Sequence, residues 1–394
     1  MTTLFEPVDE RDLVQAVRDL ALAKRPARIV GGDTKERIGR PSDLAARLSV
    51  RNITGVTLYE PSELVIGAKA GTPLSEVEDM LAQGNQRLPF EPVDYRSLLG
   101  TTGAATIGGI AATNLSGPRR VMAGACRDSL IGVRLVSGHG EVVKSGGRVM
   151  KNVTGLDLVK LTCGAWGTLG VYSEVIFKVL PTPETTSSIV IDGLNDQQAV
   201  VALAAALGSP FEVSGAAHLP KPVAAAPITV VRLEGLDSSV TYRLRELAKI
   251  LDRFGSTRIL DDVSSRNLWL RIRDARWFAN PDAAIWRLSL APSKAPRVVD
   301  AIRKTLDVEH FYDWGGGLVW LAVSAAPNAG ATAIRSALGG ATGHATLIRA
   351  PDAVKATVDV FQPLPQALLK LTTDIKSSFD PRRIFNPGRM YSAV

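Results

Sequence analysis

Cysteine is nearly absent from this 394-residue chain; Cys126 and Cys163 are the only two. Two thiols build no disulfide framework and ligate no iron–sulfur cluster by themselves. They read as buried, reduced thiols, and any cluster would sit on a partner. Histidine is also sparse, with His139, His218, His310 and His344 making four. No two of them have the spacing of a metal-ligating pair such as His-x-x-x-His, so no metal site is expected. The longest apolar run, Ala199–Leu207, falls far short of the ~20 residues that span a bilayer. Met1–Pro7 carries neither a basic flank nor an apolar core, so no secretory signal is expected. The expected location is cytoplasmic, with membrane association only through partner subunits. Missing as well are a Gly-x-Gly-x-x-Gly turn after a strand and a Gly-x-x-x-x-Gly-Lys-Ser/Thr loop. A nicotinamide dehydrogenase and a nucleoside triphosphatase are therefore poor readings.

What is present fits a soluble globular protein of two or three domains, with 45% hydrophobic and 22% charged residues. The net charge of +7 is scattered rather than clustered. Its densest run, Arg266 to Arg297, interleaves Arg271, Arg273, Arg276, Arg287 and Lys294 with Trp269, Trp277, Phe278 and Trp286. A nucleic-acid platform combines such residues. The plainer reading is an amphipathic helix followed by a strand with its aromatics in a core, and no nucleic-acid partner is expected.

Apolar periodicity predicts a helix over 11–24, with strands at 28–30, 56–59 and 64–68. A helix is expected over 73–83 and a hairpin from 132–136 and 141–144, joined by Ser137–Gly140. A strand over 172–180 precedes Pro181-Thr182-Pro183, which reads as a boundary. Strand 187–191, helix 196–207, strands 211–216 and 228–233, helix 238–254 and strand 257–260 then spell β-α-β-β-α-β. The pattern recurs as strand 284–290, helix 296–306, strands 310–313 and 318–323, helix 329–338 and strand 345–349. Two such units suggest one antiparallel sheet covered by helices on one face. A last helix is expected over 366–377.

The stretch from Thr106 to Val171 is the most informative. It opens with Thr106-Ile107-Gly108-Gly109-Ile110-Ala111-Ala112-Thr113-Asn114 and closes with Gly167-Thr168-Leu169-Gly170-Val171. Glycine lacks Cβ, so such loops bring bare N–H groups against a ligand, and converging N–H groups bind phosphate. Spread over a long segment, they suit an extended ligand such as a dinucleotide.

These motifs, with Gly31-Gly32-Asp33-Thr34-Lys35 upstream and Phe385-Asn386-Pro387-Gly388-Arg389 at the end, resemble the vanillyl-alcohol oxidase/p-cresol methylhydroxylase (PCMH) flavoproteins. The likeness is strongest to the 2-hydroxy-acid branch that includes bacterial glycolate oxidase. The resemblance implies an α+β fold: a two-subdomain PCMH-type FAD-binding domain (1–183), then an α+β cap (184–360). The cap would comprise two ferredoxin-like βαββαβ units around an antiparallel sheet, and a segment (361–394) would return to the FAD domain.

The resemblance also implies site residues. Gly31, Gly32, Asp33, Thr34 and Lys35 would form the first pyrophosphate loop. Thr106, Ile107, Gly108, Gly109 and Asn114 would meet the flavin ring and ribityl chain, unless the glycines serve helix packing and Asn114 a cap. Gly155 and Asp157 lie in Thr154-Gly155-Leu156-Asp157-Leu158, similar to the family's Gly-Tyr-Asp-Leu; Asp157 either contacts the cofactor or caps a helix. Gly167, Thr168, Gly170 and Val171 would lie against the adenosine end or the pyrophosphate. Ala165 and Trp166 stand where relatives often carry Ser-Glu. Asn386 belongs to a turn similar to the family's closing Asn-Pro-Gly-Lys.

No His lies between Arg28 and Arg40, so the FAD is expected to be non-covalent. The His-rich segment that supplies metal ligands and a base in many relatives has no counterpart, and no catalytic residue is assigned. The implied function is the FAD-binding subunit of a glycolate-oxidising complex, with a longer FAD-containing catalytic subunit and an iron–sulfur subunit as partners. One alternative is a self-sufficient 2-hydroxy-acid dehydrogenase using Arg271, Arg273 or His310. Another is a flavin-free assembly scaffold.

Overall fold

The computed structural model describes residues 2–147, 156–278, 280–339 and 343–394. Helix Glu10–Leu22 starts at Asp9, whose carboxylate accepts the Asp12 N–H at 2.9 Å. Leu13, Val17 and Leu20 fall on one face of it and are fully buried, each stabilising the fold by about 1.5–3 kcal/mol.

Strands β1 (Thr3–Phe5), β2 (Ala27–Val30) and β3 (Ala46–Ser49) form a parallel sheet of order β1-β3-β2. Next come β4 (Val56–Glu60), β5 (Val65–Lys69), the two-residue β6 (Gln86–Arg87), β7 (Leu130–Val136), β8 (Val142–Gly146) and β9 (Val171–Lys178). All but β6 join an antiparallel sheet of order β4-β5-β9-β7-β8. β6 pairs instead with β10 (Leu180–Pro181), where the chain leaves this part of the molecule. The parallel pairing of β1 and β3 was not foreseen, because a short strand with no alternating pattern is specified by its neighbours rather than by its own residues.

The cap is one eight-stranded antiparallel sheet. Its strands are β11 (Thr185–Asp192), β12 (Gly215–Leu219), β13 (Ile228–Gly235), β14 (Thr257–Leu260), β15 (Ala284–Ser289), β16 (Val308–Asp313), β17 (Leu318–Val323) and β18 (His344–Arg349). Their order, β14-β11-β13-β12-β16-β17-β15-β18, is two βαββαβ units joined edge to edge through their second strands. The α+β class and the duplicated cap are as expected. The joint itself is narrow: His218 opposite Tyr312 is the one register pair between β12 and β16. Asp196, in the first turn of helix Asp196–Leu207, reinforces it by accepting His310 Nε2 at 2.7 Å and the Tyr312 hydroxyl at 2.8 Å.

Two of the boundary shifts have a backbone cause. The strand predicted over 211–216 is Gly215–Leu219, because Glu212 sits at φ 50°, outside strand conformation. The helix predicted from Ala329 starts at Ala331, because Asn328, Ala329 and Gly330 are all left-handed.

β17 is buried along its whole length, the mark of a strand covered on both faces. Tyr95, Leu98, Leu99 and Trp166, all before β10, share one core with Phe311, Val319 and Trp320 of the cap. Tyr95 meets Trp320 edge to face at 5.5 Å. A buried ionic cluster ties the same two parts together. Glu91 accepts both Nη groups of Arg232 at 2.8 and 2.9 Å, and Glu234 accepts Arg119 at 2.9 Å twice and Arg87 at 2.8 Å. Burial would raise the Glu91 carboxyl, but Arg232 and Arg119 bring it down to about 2.

Candidate functional site

The turn after β2 and the loop before helix Ile107–Thr113 touch backbone to backbone. A Cβ on Gly32 would lie 1.4 Å from the Ala104 carbonyl oxygen, so no other residue fits there. Between these segments and the wall Trp166–Tyr172 runs a cleft of about 730 Å³. Gly31, Gly32, Asp33, Thr34, Lys35, Thr106, Gly108 and Gly109 line it on one side, and Gly167, Gly170 and Val171 on the other. Eleven of the residues singled out in the sequence therefore converge on one cavity, although they come from three distant segments.

The remaining six have other places. Ile107 is buried in the core of the N-terminal part. Thr168 donates to the Ala165 carbonyl at 2.7 Å. Asn114 closes its helix at φ 50° and accepts the Arg127 N–H at 3.0 Å. Asp157 caps helix Leu158–Thr162, accepting the Lys160 N–H at 3.0 Å. For Asn114 and Asp157 the capping alternative is the contact made. Asn386 does not line the cleft but braces it. Its Oδ1 accepts the Ile29 N–H at 2.9 Å, and its Nδ2 donates to the Trp166 and Gly167 carbonyls at 2.9 and 3.3 Å. Gly155 lies outside the described residues.

The charges in the cleft are unusual. Lys35 is buried, forms no ion pair or side-chain hydrogen bond with a described residue, and is brought down by burial to about 8. Arg389 also lines the cleft. Its Nη2 donates to the Lys35 and Ile38 carbonyls, its Nε is buried without an acceptor, and burial lowers it to about 10. Its guanidinium stands 5.4 Å from the Trp166 ring, so Trp166 backs the site. Asp33, the acid of the turn, is spent on Arg47. Glu36, the other acid lining the cleft, faces Arg28 at 3.9 Å. Neither desolvated cation forms an ion pair with a described carboxylate, and the two suit an anionic group. The sequence reading missed Arg389, although it occupies the last position of the Asn386-Pro387-Gly388-Arg389 turn that had been singled out.

The C-terminal segment holds this wall in place. Lys376 and Asp380 form a fully buried pair at 2.7 Å, and the same ammonium donates to the Thr168 and Phe385 carbonyls at 2.6 and 2.8 Å. Phe385 bridges to Ala27 at the start of β2.

The other candidate groups are engaged elsewhere. His310 is bonded to Asp196, and Arg273 to Asp274 at 2.7 Å. Arg271 stacks on Trp277 at 4.8 Å. Among the described residues no group of three or more His, Cys, Asp or Glu is placed to hold a metal ion. Neither histidine nor cysteine is among the described residues that line the cleft.

Comparison with known proteins decides the family. Residues 2–146 match the FAD binding domain family. Glycolate oxidase subunit GlcE of Escherichia coli is 35% identical over 384 residues, 97% of each chain. The chain belongs to the GlcE family of FAD-linked oxidoreductases. A further relative, glycolate oxidase subunit GlcD of Bacillus subtilis, is 31% identical over 172 residues, 44% of this chain and 32% of that one. A solved 4-ethylphenol oxidase from Gulosibacter chungangensis superposes with a TM-score of 0.74 at 13% identity, over 98% of this chain and 88% of that chain. An alkyldihydroxyacetonephosphate synthase does so at 0.70 and 14%, over 98% and 76%. At such identities these two speak for the fold alone.

FAD is the cofactor of this family member, and the cleft fits it. Its apolar surfaces come from Ile29, Val50, Ala112, Val171 and Tyr172, and the cations Lys35 and Arg389 in its lining match a pyrophosphate. Among the described residues no helix is long and apolar enough to cross a membrane.

Proposed function

We infer that this chain is the FAD-binding subunit of a glycolate-oxidising complex, in which glycolate becomes glyoxylate and electrons leave through an iron–sulfur partner. The observation that carries the reading is the likeness to the GlcE subunit along 97% of both chains. A longer flavin subunit would perform the substrate oxidation, and this chain would not turn over alone.

In that role Lys35 and Arg389 hold the FAD pyrophosphate by charge. Gly31, Gly32 and Gly109 admit it to main-chain contact, and Gly167, Gly170 and Val171 support the adenosine end. Asn386 and the Lys376–Asp380 pair keep that wall at its spacing. Binding is non-covalent. Bound FAD supplies a two-electron acceptor; orientation and charge come from the protein. A self-sufficient dehydrogenase loses support because Arg273 and His310 are committed to Asp274 and Asp196.

The test is purification of the chain alone and with its neighbouring subunits. The chain alone should be yellow, should release its flavin on acid precipitation, and should resist bleaching by glycolate, whereas the assembled complex should bleach. Rapid bleaching of the isolated chain would overturn the division of labour, and a colourless chain would restore the scaffold reading.

A further inference from the structure

Two residues of the cleft depart from the family's pattern, and the fold brings them together. Trp166 stands where relatives often carry Glu, and Arg389 closes a turn similar to one that ends in Lys. Both line the FAD cleft, and the Arg389 guanidinium stands 5.4 Å from the centroid of the Trp166 ring. Trp166 takes φ 55°, a left-handed conformation that a bulky residue adopts only when its surroundings impose it. Its N–H donates to the Ala112 carbonyl at 2.8 Å, and its carbonyl accepts Asn386 Nδ2 at 2.9 Å. Its ring meets Phe361, beyond β18, edge to face at 5.4 Å.

Arg389 is fixed as firmly. Its N–H donates to the Asn386 carbonyl at 3.1 Å, and its carbonyl accepts the Arg40 N–H at 2.9 Å. Asn386 therefore holds both members of the pair, one through its side chain and one through its main chain. The stem of Arg389 fills the space left by Gly39, where a Cβ would lie 3.0 Å from Arg389 Cγ. Its Nη2 donates to the Lys35 and Ile38 carbonyls at 3.3 and 3.4 Å. Neither acid of the cleft reaches it, because Asp33 pairs with Arg47 and Glu36 faces Arg28. A desolvated guanidinium needs a partner. A carboxylate at position 166 would neutralise it and compete with a bound anion for the same donors. An indole face attracts the cation through the ring quadrupole but carries no net charge. The positive charge is held and is still available.

We propose that Trp166 is a positioning residue for FAD, whose ring holds the Arg389 guanidinium in place for the pyrophosphate without cancelling its charge. The inference rests on the reading of Arg389 as a pyrophosphate contact given above, and adds how that cation is kept ready. Trp166 acts through Arg389 and needs no contact of its own with the cofactor. It therefore contributes to FAD affinity only while Arg389 is present. The strain at Trp166 is the cost of presenting a ring rather than a counter-ion at this point of the wall.

The test is a double-mutant cycle read by fluorescence titration of the stripped full chain with FAD. Trp166→Leu and Arg389→Met should each weaken FAD about tenfold. The double variant should bind within about twofold of Arg389→Met alone. Trp166→Phe keeps a ring against Phe361 but offers the cation a weaker face, so it should fall between wild type and Trp166→Leu. It carries the cycle if the leucine variant does not fold. Salt gives the readout that a merely structural role would not move. Rising ionic strength should weaken FAD less in the Trp166 variants than in wild type, towards the response of Arg389→Met. Losses that multiply in the double variant, or Trp166 variants with wild-type affinity, would overturn the positioning role and leave Arg389 as a pyrophosphate contact. So would weak FAD binding with a wild-type response to salt. Arg389→Met with wild-type affinity would remove the pyrophosphate reading and this inference with it. None of these readouts uses glycolate turnover, so the subunit role is judged separately.

Discussion

Replacing Lys35 by methionine should loosen FAD and firm up the empty protein. The buried ammonium is lowered from 10.5 to about 8, chiefly by loss of water. That difference corresponds to roughly 3 kcal/mol by which burial disfavours its charged form when nothing pairs with it. The pyrophosphate is the missing partner, and a hydrogen bond to a charged group is worth about 1.5–3 kcal/mol, so Lys35→Met should weaken FAD about 10- to 100-fold.

The pH dependence has a definite sign. Below about 8 the empty protein already carries the charge, and FAD binds at full strength. Above it, binding must take up a proton, and affinity falls as pH rises through 8 to 10. For the empty protein the folded value lies below the unfolded one. The unfolded chain therefore holds more protons in that window, and stability rises with pH. Fluorescence titration of the stripped protein with FAD at a series of pH values, beside thermal melts, reads both effects. The reasoning is refuted if Lys35→Met binds FAD within twofold of wild type, or keeps the wild-type decline above pH 8.

Other substitutions test the supports of the cleft. Gly32→Ala should abolish FAD retention and cost about 3 kcal/mol or more in denaturant unfolding, because the methyl group would occupy the Ala104 carbonyl. Asp380→Asn should cost about 3–5 kcal/mol by leaving Lys376 buried and unpaired, with the loss read as a lower melting temperature. Glu91 is held at about 2 against an ordinary 4.5. Its contribution is complete above 4.5 and disappears as pH falls towards 2, so Glu91→Gln should flatten the acid limb of the stability profile.

The parts of the site written in contiguous residues were legible from sequence. Gly31-Gly32 and Thr106–Gly109 announce themselves because a backbone approaching backbone admits only glycine, and the duplicated cap shows itself through repeated strand and helix periods. Asn114 and Asp157 were harder, because a polar residue that caps a helix looks the same as one that meets a ligand; the structure shows the cap in both cases. Arg389 went unnoticed because a positive residue after a turn has many uses until the fold brings it beside Lys35.

The most direct test of the central claim is anaerobic addition of glycolate to the purified chain and to the reconstituted complex, with the flavin spectrum followed in each. The account predicts one tightly but non-covalently bound FAD per chain, no rapid bleaching of the chain alone, and prompt bleaching once the partner subunits are present. Prompt reduction of the isolated chain by glycolate, or an assembled complex whose turnover survives removal of this chain, would contradict it.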